Sequence, residues 1–202
     1  MQVFAYRDQT QYTYEHINSH PKRFFMSLKH AILVLLETEP SSGYELLKHF
    51  KNSLGYFWNA KHQQIYQQLK NLANDELIVS ETEIQNSKPD KKIYKITPKG
   101  VEEIRSWLAA PVEPNKINDA LLVKIYGGHL TSSENLLAEL EHHQAIHQLT
   151  LDKLLQIEEK YLSLSQHEQT EYQLPYLTLR RGILGEQAWL TWSNEAISMI
   201  KK

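Results

Sequence analysis

The sequence predicts a mainly α-helical chain with one small β-hairpin, organised in two parts. Apolar residues recur at helical spacing in four segments before residue 110, and strand-like patterns are confined to residues 77–97. After residues 111–116, which include two prolines, three longer segments again have helical spacing. A chain of 202 residues can hold two small domains. We therefore expect an N-terminal domain over residues 26–110, a linker over 111–116 and a helical domain over 117–202.

Three predicted helices open the N-terminal domain. The first is ended by Pro40, which cannot continue a helix. The second starts at Ser42, whose spacing to Glu45 is that of a capping box, in which hydroxyl and carboxylate each bond a free backbone N–H. The third has an inner apolar stripe at positions i, i+4 and i+7, formed by Ile65, Leu69 and Leu72.

A β-hairpin and a fourth helix complete this domain. One predicted strand runs from Leu77 to Ile84 and the other over residues 91–97, with turn residues between them. Thr97-Pro98 is typical of a helix start. Three helices, a hairpin and a fourth helix, in this order, are the plan of a winged helix-turn-helix domain. In such a domain the third helix enters the major groove of DNA and the hairpin, or wing, lies beside it.

The third helix has side chains suited to DNA recognition. Opposite its apolar stripe it carries a polar set: Lys61, Gln63, Gln64, Gln67, Lys70 and Asn71. Gln and Asn can form two hydrogen bonds with adenine, and Lys pairs with phosphate or guanine. A solvated polar face, which any amphipathic helix has, is the alternative interpretation. Tyr66 can either fill core space or bind a phosphate through its hydroxyl, and both roles stay open.

The wing carries the charge that favours DNA binding. Four lysines within eight residues are opposed only by Asp90: Lys88, Lys91, Lys92 and Lys95. Beside the third helix they would clamp phosphates. The predicted DNA-binding residues are Lys61, Gln63, Gln64, Tyr66, Gln67, Lys70, Lys88, Lys91 and Lys92.

The net charge of −2 does not exclude a nucleic-acid partner, because the charge is unevenly spread. Residues 26–110 have 11 Lys and Arg against 10 Asp and Glu, whereas residues 111–202 have 8 against 12. The acidic excess therefore lies in the C-terminal part. Because charges are screened beyond roughly 8 Å at physiological salt, a local basic face can act on an acidic molecule.

The C-terminal domain is predicted to contain helices over residues 117–130, about 132–164 and about 173–200. The middle helix is long and needs a partner surface for its apolar positions. Its Glu139, His143 and His147 recur every four residues, as in a metal site or a polar stripe, and we predict no metal or other cofactor. Arg180-Arg181 fits an acidic partner or a ligand carboxylate, but snorkelling or an intersubunit ion pair is the more ordinary explanation. Trp189 and Trp192 indicate core or dimer-interface packing rather than an effector site.

Four runs of the sequence resemble PadR-type transcription regulators: MSLKHAILVLL, SSGYELLKHF, LGYFWNAKHQQIYQQLKNL and KPDKKIYKITPKG. The resemblance covers about residues 26–200 and is closest to the AphA-like branch, in which a virulence-activator-type helical domain follows the winged helix. It implies a regulator that forms a homodimer through its C-terminal helices and binds double-stranded DNA. Some members of the family release DNA on binding small aromatic acids.

Two positions depart from the family pattern. The family commonly has Arg in the wing, and Lys91 is a poorer bidentate donor than Arg. The family also often has Gly after the third helix, where this chain has Glu76. A residue other than Gly in a left-handed conformation costs roughly 1 kcal/mol, so we expect that turn to differ.

The sequence lacks the signals of several other classes. It has no phosphate-binding Gly loop, nucleophile elbow or metalloprotease pair, so we expect no enzyme. No apolar run approaches 18 residues and there is no cysteine, so we expect a cytoplasmic protein. For residues 1–25 we favour the interpretation that translation begins at Met26 and that the start codon has been placed too far upstream. A flexible N-terminal arm is the alternative.

Together the patterns predict a sequence-specific regulator that binds a palindromic operator as a dimer. Its two third helices would enter successive major grooves about 34 Å apart. A small aromatic effector is implied by the resemblance only. The alternative is a winged helix that contacts proteins without direct DNA binding; the acidic whole-chain charge favours it slightly and the wing lysines oppose it.

Overall fold

A computed structural model describes residues 28–55, 58, 60–84, 90–112 and 118–202. Within these ranges the chain forms two compact units, one of residues 28–46 and 62–112, the other of the described residues within 47–61 and 118–202. The predicted N-terminal extension, Lys88 with its turn, and the centre of the predicted linker lie outside the described residues.

The first unit has the predicted order of helices and wing. Its elements in chain order are α1 (Leu28–Thr38), β1 (Ser41–Ser42), the start of α2 (Gly43–Ser53), α3 (His62–Asn74), β2 (Ile78–Glu83), β3 (Lys91–Ile96) and α4 (Pro98–Ala109). The predicted class, mainly helical with a small β-hairpin wing, is confirmed.

The core of the first unit is built around α1. This helix buries Ile32 and Leu33 and contacts α3, α4 and β3. The predicted inner stripe of α3 is fully buried, since Ile65, Leu69 and Leu72 have no exposed surface. Burial of a side chain of this size contributes roughly 1.5–3 kcal/mol, so the stripe holds α3 in one orientation.

β3 is the central strand of a three-stranded antiparallel sheet with the order β1-β3-β2. β2 and β3 pair up to Glu83 opposite Lys91, and β1 pairs on the other side of β3, with Ser42 opposite Ile93. The sequence does not predict β1, because two residues show no periodicity. Its pairing ties the start of α2 to the wing.

The turn between α3 and β2 contains Glu76 in a left-handed conformation, with φ of 60°. The Leu77 N–H donates to the Leu72 carbonyl (2.9 Å) and the Glu76 N–H donates to the Ala73 carbonyl (3.1 Å). These are the two hydrogen bonds of a Schellman motif, a turn that usually has glycine at this position. Our expectation of a different turn is wrong: the backbone keeps the left-handed turn and Glu76 bears its steric cost.

The start of α4 is locked to this turn. The Thr97 hydroxyl accepts from the Gly100 N–H (3.1 Å) and donates to the Glu76 carbonyl (2.8 Å), which confirms the predicted helix start. Gly100 is needed because a Cβ there would lie 2.2 Å from the Leu77 carbonyl oxygen. The wing and α4 are therefore joined by close backbone contact.

The second unit is helical in its described C-terminal part. It contains α5 (Ala120–Tyr126), a 3-10 turn (Gly128–Leu130), α6 (Ser133–Leu162), α7 (Gln166–Glu171) and α8 (Gln173–Ile200). The three predicted helices are confirmed. The short α7 is not among the predicted helices, although Ser165 and Glu168 form a complete capping box at its start.

α6 and α8 pack as an antiparallel pair. Leu154 and Ile183 lie in their buried seam, an ion pair joins Glu158 to Arg180 (2.9 Å between Oε1 and Nη1), and a hydrogen bond joins His147 to Glu186. Glu158 contacts Arg180, whereas the earlier residue His147 contacts the later residue Glu186, so the two helices run in opposite directions. None of the described helices is both long enough and apolar enough to cross a membrane.

Replacing Glu76 by glycine is expected to stabilise the protein by about 1 kcal/mol, because glycine adopts the left-handed conformation without a steric cost. The substitution also removes the ion pair between Glu76 and Lys99 (3.3 Å), which joins two exposed groups and contributes little. The measurement is the urea-unfolding midpoint at constant m-value. Glu76→Ala removes the carboxylate and keeps the strain, so it should not stabilise; a glycine variant no more stable than this control would contradict the strain at Glu76.

Candidate nucleic-acid interface

The outer face of α3 is the polar face that the sequence predicts. Because the apolar stripe is buried, the residues opposite it are exposed: Gln63, Gln64, Gln67, Lys70 and Asn71. Lys61, also exposed, directly precedes the helix. The Gln67 amide donates to Asn71 Oδ1 (3.0 Å), which orients two side chains of this face. The face offers amide donors and acceptors of the kind that base edges bond.

An open groove runs along the start of this face. It is lined by Leu28 from α1 and by four glutamines of α3: Gln63, Gln64, Gln67 and Gln68. Gln68 is not among the predicted residues, because helical spacing alone places it close to the apolar stripe. The groove is shallow and open, and the four amides lie along it.

Tyr66 is only partly buried, which is intermediate between the two roles that the sequence leaves open, core packing and phosphate binding. Its side chain is 39% exposed, and its ring is tilted against that of His62 with 4.4 Å between centroids. The ring also covers Gly43 at the start of α2, where a Cβ would lie 2.8 Å from Tyr66 Cε1 and Cζ. Tyr66 therefore packs α3 against the first turn of α2.

The described wing lysines have different partners. Lys91 Nζ lies 2.6 Å from Glu45 Oε1, and Lys95 Nζ lies 2.6 Å from Glu81 Oε2. Lys92 is exposed, with its ammonium 5.5 Å from the centre of the Tyr94 ring, and it has no ion pair within the described part of the chain. Lys88 lies outside the described residues. The wing lysines are thus not one equivalent set.

Glu45 serves two contacts at once. Its Oε2 accepts from the Ser42 N–H (3.0 Å) and from the Ser42 hydroxyl (2.9 Å), which confirms the predicted capping box. Its Oε1 accepts from Lys91, and this bond, followed by those from Ser42, lowers the pKa of Glu45 to about 2. The same contact raises the pKa of Lys91. Both groups are therefore charged near neutral pH.

The sequence could not reveal the pair of Glu45 and Lys91, because the two residues are 46 positions apart. The capping-box spacing identifies Glu45, and the charge run identifies Lys91. Their meeting depends on β1 lying beside β3, and no pattern in the sequence signals that strand.

The histidines of α6 have ordinary packing partners. His147 stacks on Trp189 (3.7 Å between centroids), and His143 Nε2 lies 3.7 Å from Glu139 Oε1. Across the described ranges no three His, Cys, Asp or Glu side chains are grouped as metal ligands. Trp189 also meets Trp192, three residues further along α8, edge to face.

The fold and this polar helix define a winged-helix regulator, and comparison with known proteins identifies its family. The model of the family described as "Transcriptional regulator PadR-like family" matches residues 32–106. The model described as "Virulence activator alpha C-term" matches residues 117–201. A probable transcriptional regulator of Mycobacterium tuberculosis is 33% identical over 187 residues, which cover 88% of this chain and 99% of that protein. The negative transcriptional regulator PadR of Bacillus subtilis is 33% identical over 186 residues, covering 87% and 98%.

Solved structures agree with this match. Bacillus subtilis PadR in complex with operator DNA superposes with a TM-score of 0.73 and 32% identity, covering 86% of this chain and 98% of that chain. The Vibrio cholerae virulence activator AphA gives a TM-score of 0.71 and 28% identity over 87% and 98%. Bacillus subtilis PadR in complex with p-coumaric acid gives a TM-score of 0.71 and 29% identity over 87% and 99%.

The chain belongs to the PadR-like family of transcriptional regulators, in its AphA-like branch. The resemblance inferred from the four sequence runs is thereby confirmed. Because the family consists of transcriptional regulators, the prediction that the chain is not an enzyme is confirmed as well.

Proposed function

We propose that the chain binds double-stranded DNA sequence-specifically, as a homodimer on a palindromic operator. The observation that carries this proposal is the exposed amide face of α3 opposite a fully buried stripe. A helix of this width fits the major groove, where Gln can bond adenine through two hydrogen bonds. The complex of Bacillus subtilis PadR with operator DNA supports the same role for this chain.

The proposed DNA contacts divide by function. Gln63, Gln64, Gln67 and Lys70 lie on α3, Lys61 directly precedes it, and Lys88 and Lys92 belong to the wing. Of the other two predicted residues, Tyr66 packs on Gly43 and Lys91 pairs with Glu45, so each has an internal partner.

The domains proposed are the winged helix over residues 26–110, a linker over 111–116 and a dimerisation domain over 117–202, in a cytoplasmic protein.

Dimerisation is supported by the apolar side chains that the second unit leaves exposed. On α8 these include Leu174, Leu177 and Leu184, of which the last two are seven residues apart and share one helix face. Apolar stripes of this kind on soluble proteins mark interaction surfaces. We therefore propose that this face of α8 contributes to the contact with a second copy.

Binding to the DNA upstream of the chain's own gene, measured by gel shift and footprinting, tests the proposed function. Gln63→Ala should weaken binding by about 1–3 kcal/mol at one base pair and relax discrimination there. Lys92→Ala should instead weaken binding to all sequences and lower the salt slope by about 0.9. Absence of any sequence-specific shift would favour the alternative, a winged helix that contacts only proteins.

The double substitution Leu177→Glu and Leu184→Glu is expected to produce a monomer, because it places charge in the proposed apolar contact. The mass should fall from twice the chain mass to 23.7 kDa in sedimentation equilibrium. Thr178→Glu, which adds a charge at an exposed position about 100° around α8 from Leu177, is the control and should stay dimeric. A double variant that is still dimeric would exclude this face of α8 from the contact.

An effector response is proposed on the basis of the complex between Bacillus subtilis PadR and p-coumaric acid. The expected results are a rise in the melting temperature of the protein with p-coumaric acid and release of bound DNA at the same concentrations. Benzoic acid without the propenoate chain is the control. Unchanged melting and unchanged DNA binding would remove the effector from the proposal.

A further inference from the structure

We propose that Glu45 is a positioning residue of the DNA-binding unit: it holds Lys91 as a brace between the first turn of α2 and the wing, so that Lys91 does not contact phosphate. This inference rests on the proposed function for its consequence in DNA binding. The brace itself is a contact within the first unit.

The two oxygens of the Glu45 carboxylate are divided between two elements. One accepts from the backbone N–H and the hydroxyl of Ser42, which closes the capping box of α2. The other accepts from Lys91 of β3 at 2.6 Å. Because the capping box already fixes the carboxylate, little additional side-chain freedom is lost when Lys91 binds it. The pair is also partly shielded, with the side chains of Lys91 and Glu45 32% and 40% exposed.

The brace acts where backbone pairing has ended. β1 pairs with β3 only at Ser41–Tyr94 and Ser42–Ile93. Lys91 lies two residues beyond this pairing, at the end of the hairpin ladder, opposite Glu83. Its side chain extends the connection between α2 and β3 towards the turn of the wing, where the strand has no β1 partner.

The first turn of α2 also contacts the recognition helix. Tyr66 of α3 lies over Gly43, so closely that a Cβ there would be 2.8 Å from its ring. Gly43 and Glu45 belong to the same helical turn. This turn therefore contacts α3 through Tyr66 and the wing through Lys91, and it couples the position of the wing to that of the amide face.

Lys91 and Lys92 have different environments. Neighbouring residues of a strand point to opposite faces, so their side chains leave β3 in opposite directions. Lys91 ends on a carboxylate, whereas Lys92 is exposed and has no described ion pair. A phosphate would have to displace Glu45 from Lys91, and no such competitor faces Lys92 within the described residues.

The experiment compares Glu45→Gln, Lys91→Met, their double variant and the matched control Lys92→Met. Glutamine keeps the capping box and removes the charge. DNA affinity is measured over a series of salt concentrations. We expect Lys91→Met to lower affinity about three- to tenfold with an unchanged salt slope, and Lys92→Met to lower the slope by about 0.9. Lys91→Arg, which restores the ion pair, should recover the affinity.

The double variant decides between a brace and a phosphate contact. If Glu45 acts through Lys91, the double variant binds DNA no more weakly than either single variant. Independent losses that multiply in the double variant, or a salt slope lowered by Lys91→Met as much as by Lys92→Met, would overturn the proposal while leaving DNA binding intact.

Hydrogen exchange without DNA separates the brace from the proposed function. Amides of β3 should exchange faster in Glu45→Gln and in Lys91→Met than in the wild type or Lys92→Met. If the wild type binds no DNA, the proposed function fails and this measurement alone judges the brace. Equal exchange in all variants would overturn the brace whether or not DNA is bound.

Discussion

Burial of one stripe on α3 is the constraint on which the candidate interface depends. Ile65, Leu69 and Leu72 have no exposed surface, and they hold the helix beside α1. A helix that buries residues at i, i+4 and i+7 must present the opposite side to solvent. The amides of Gln63 and Gln64 are exposed for this reason. The core packing of apolar residues thus decides which polar residues are available for recognition.

The first turn of α2 is contacted by both α3 and the wing. The capping box, the glycine covered by the Tyr66 ring and the carboxylate that binds Lys91 lie within four residues, Ser42 to Glu45. Each contact has an ordinary local function: it satisfies a helix N-terminus, fills space or pairs a charge. Because the three share one turn, α3 and the wing both contact the start of α2. A rigid arrangement of these two elements is what recognition of a defined DNA site requires.

In the C-terminal unit, α6 and α8 pack through both apolar contacts and ion pairs. Leu154 and Ile183 form apolar contacts between α6 and α8, and ion pairs such as Glu158–Arg180 add direction and register. Other leucines of α8 face outwards, where a single chain gives them no cover. Long helices gain most of their stability from packing, so exposed apolar faces on such helices are unfavourable in isolation. A second copy of the chain, as proposed, would bury them.

The sequence by itself determined the elements: the apolar stripe of α3, the capping box at Ser42, the wing strands and the helices of the second unit. It also identified Glu76 as a departure from glycine, although it did not predict that the left-handed turn is kept. These features depend on residues within a few positions of one another, so their patterns are visible in order along the chain. The tertiary structure alone decided that β1 exists, that Tyr66 covers Gly43 and that Lys91 meets Glu45. Those contacts join residues far apart in sequence, and a side chain's partner is set by packing geometry that no local periodicity records.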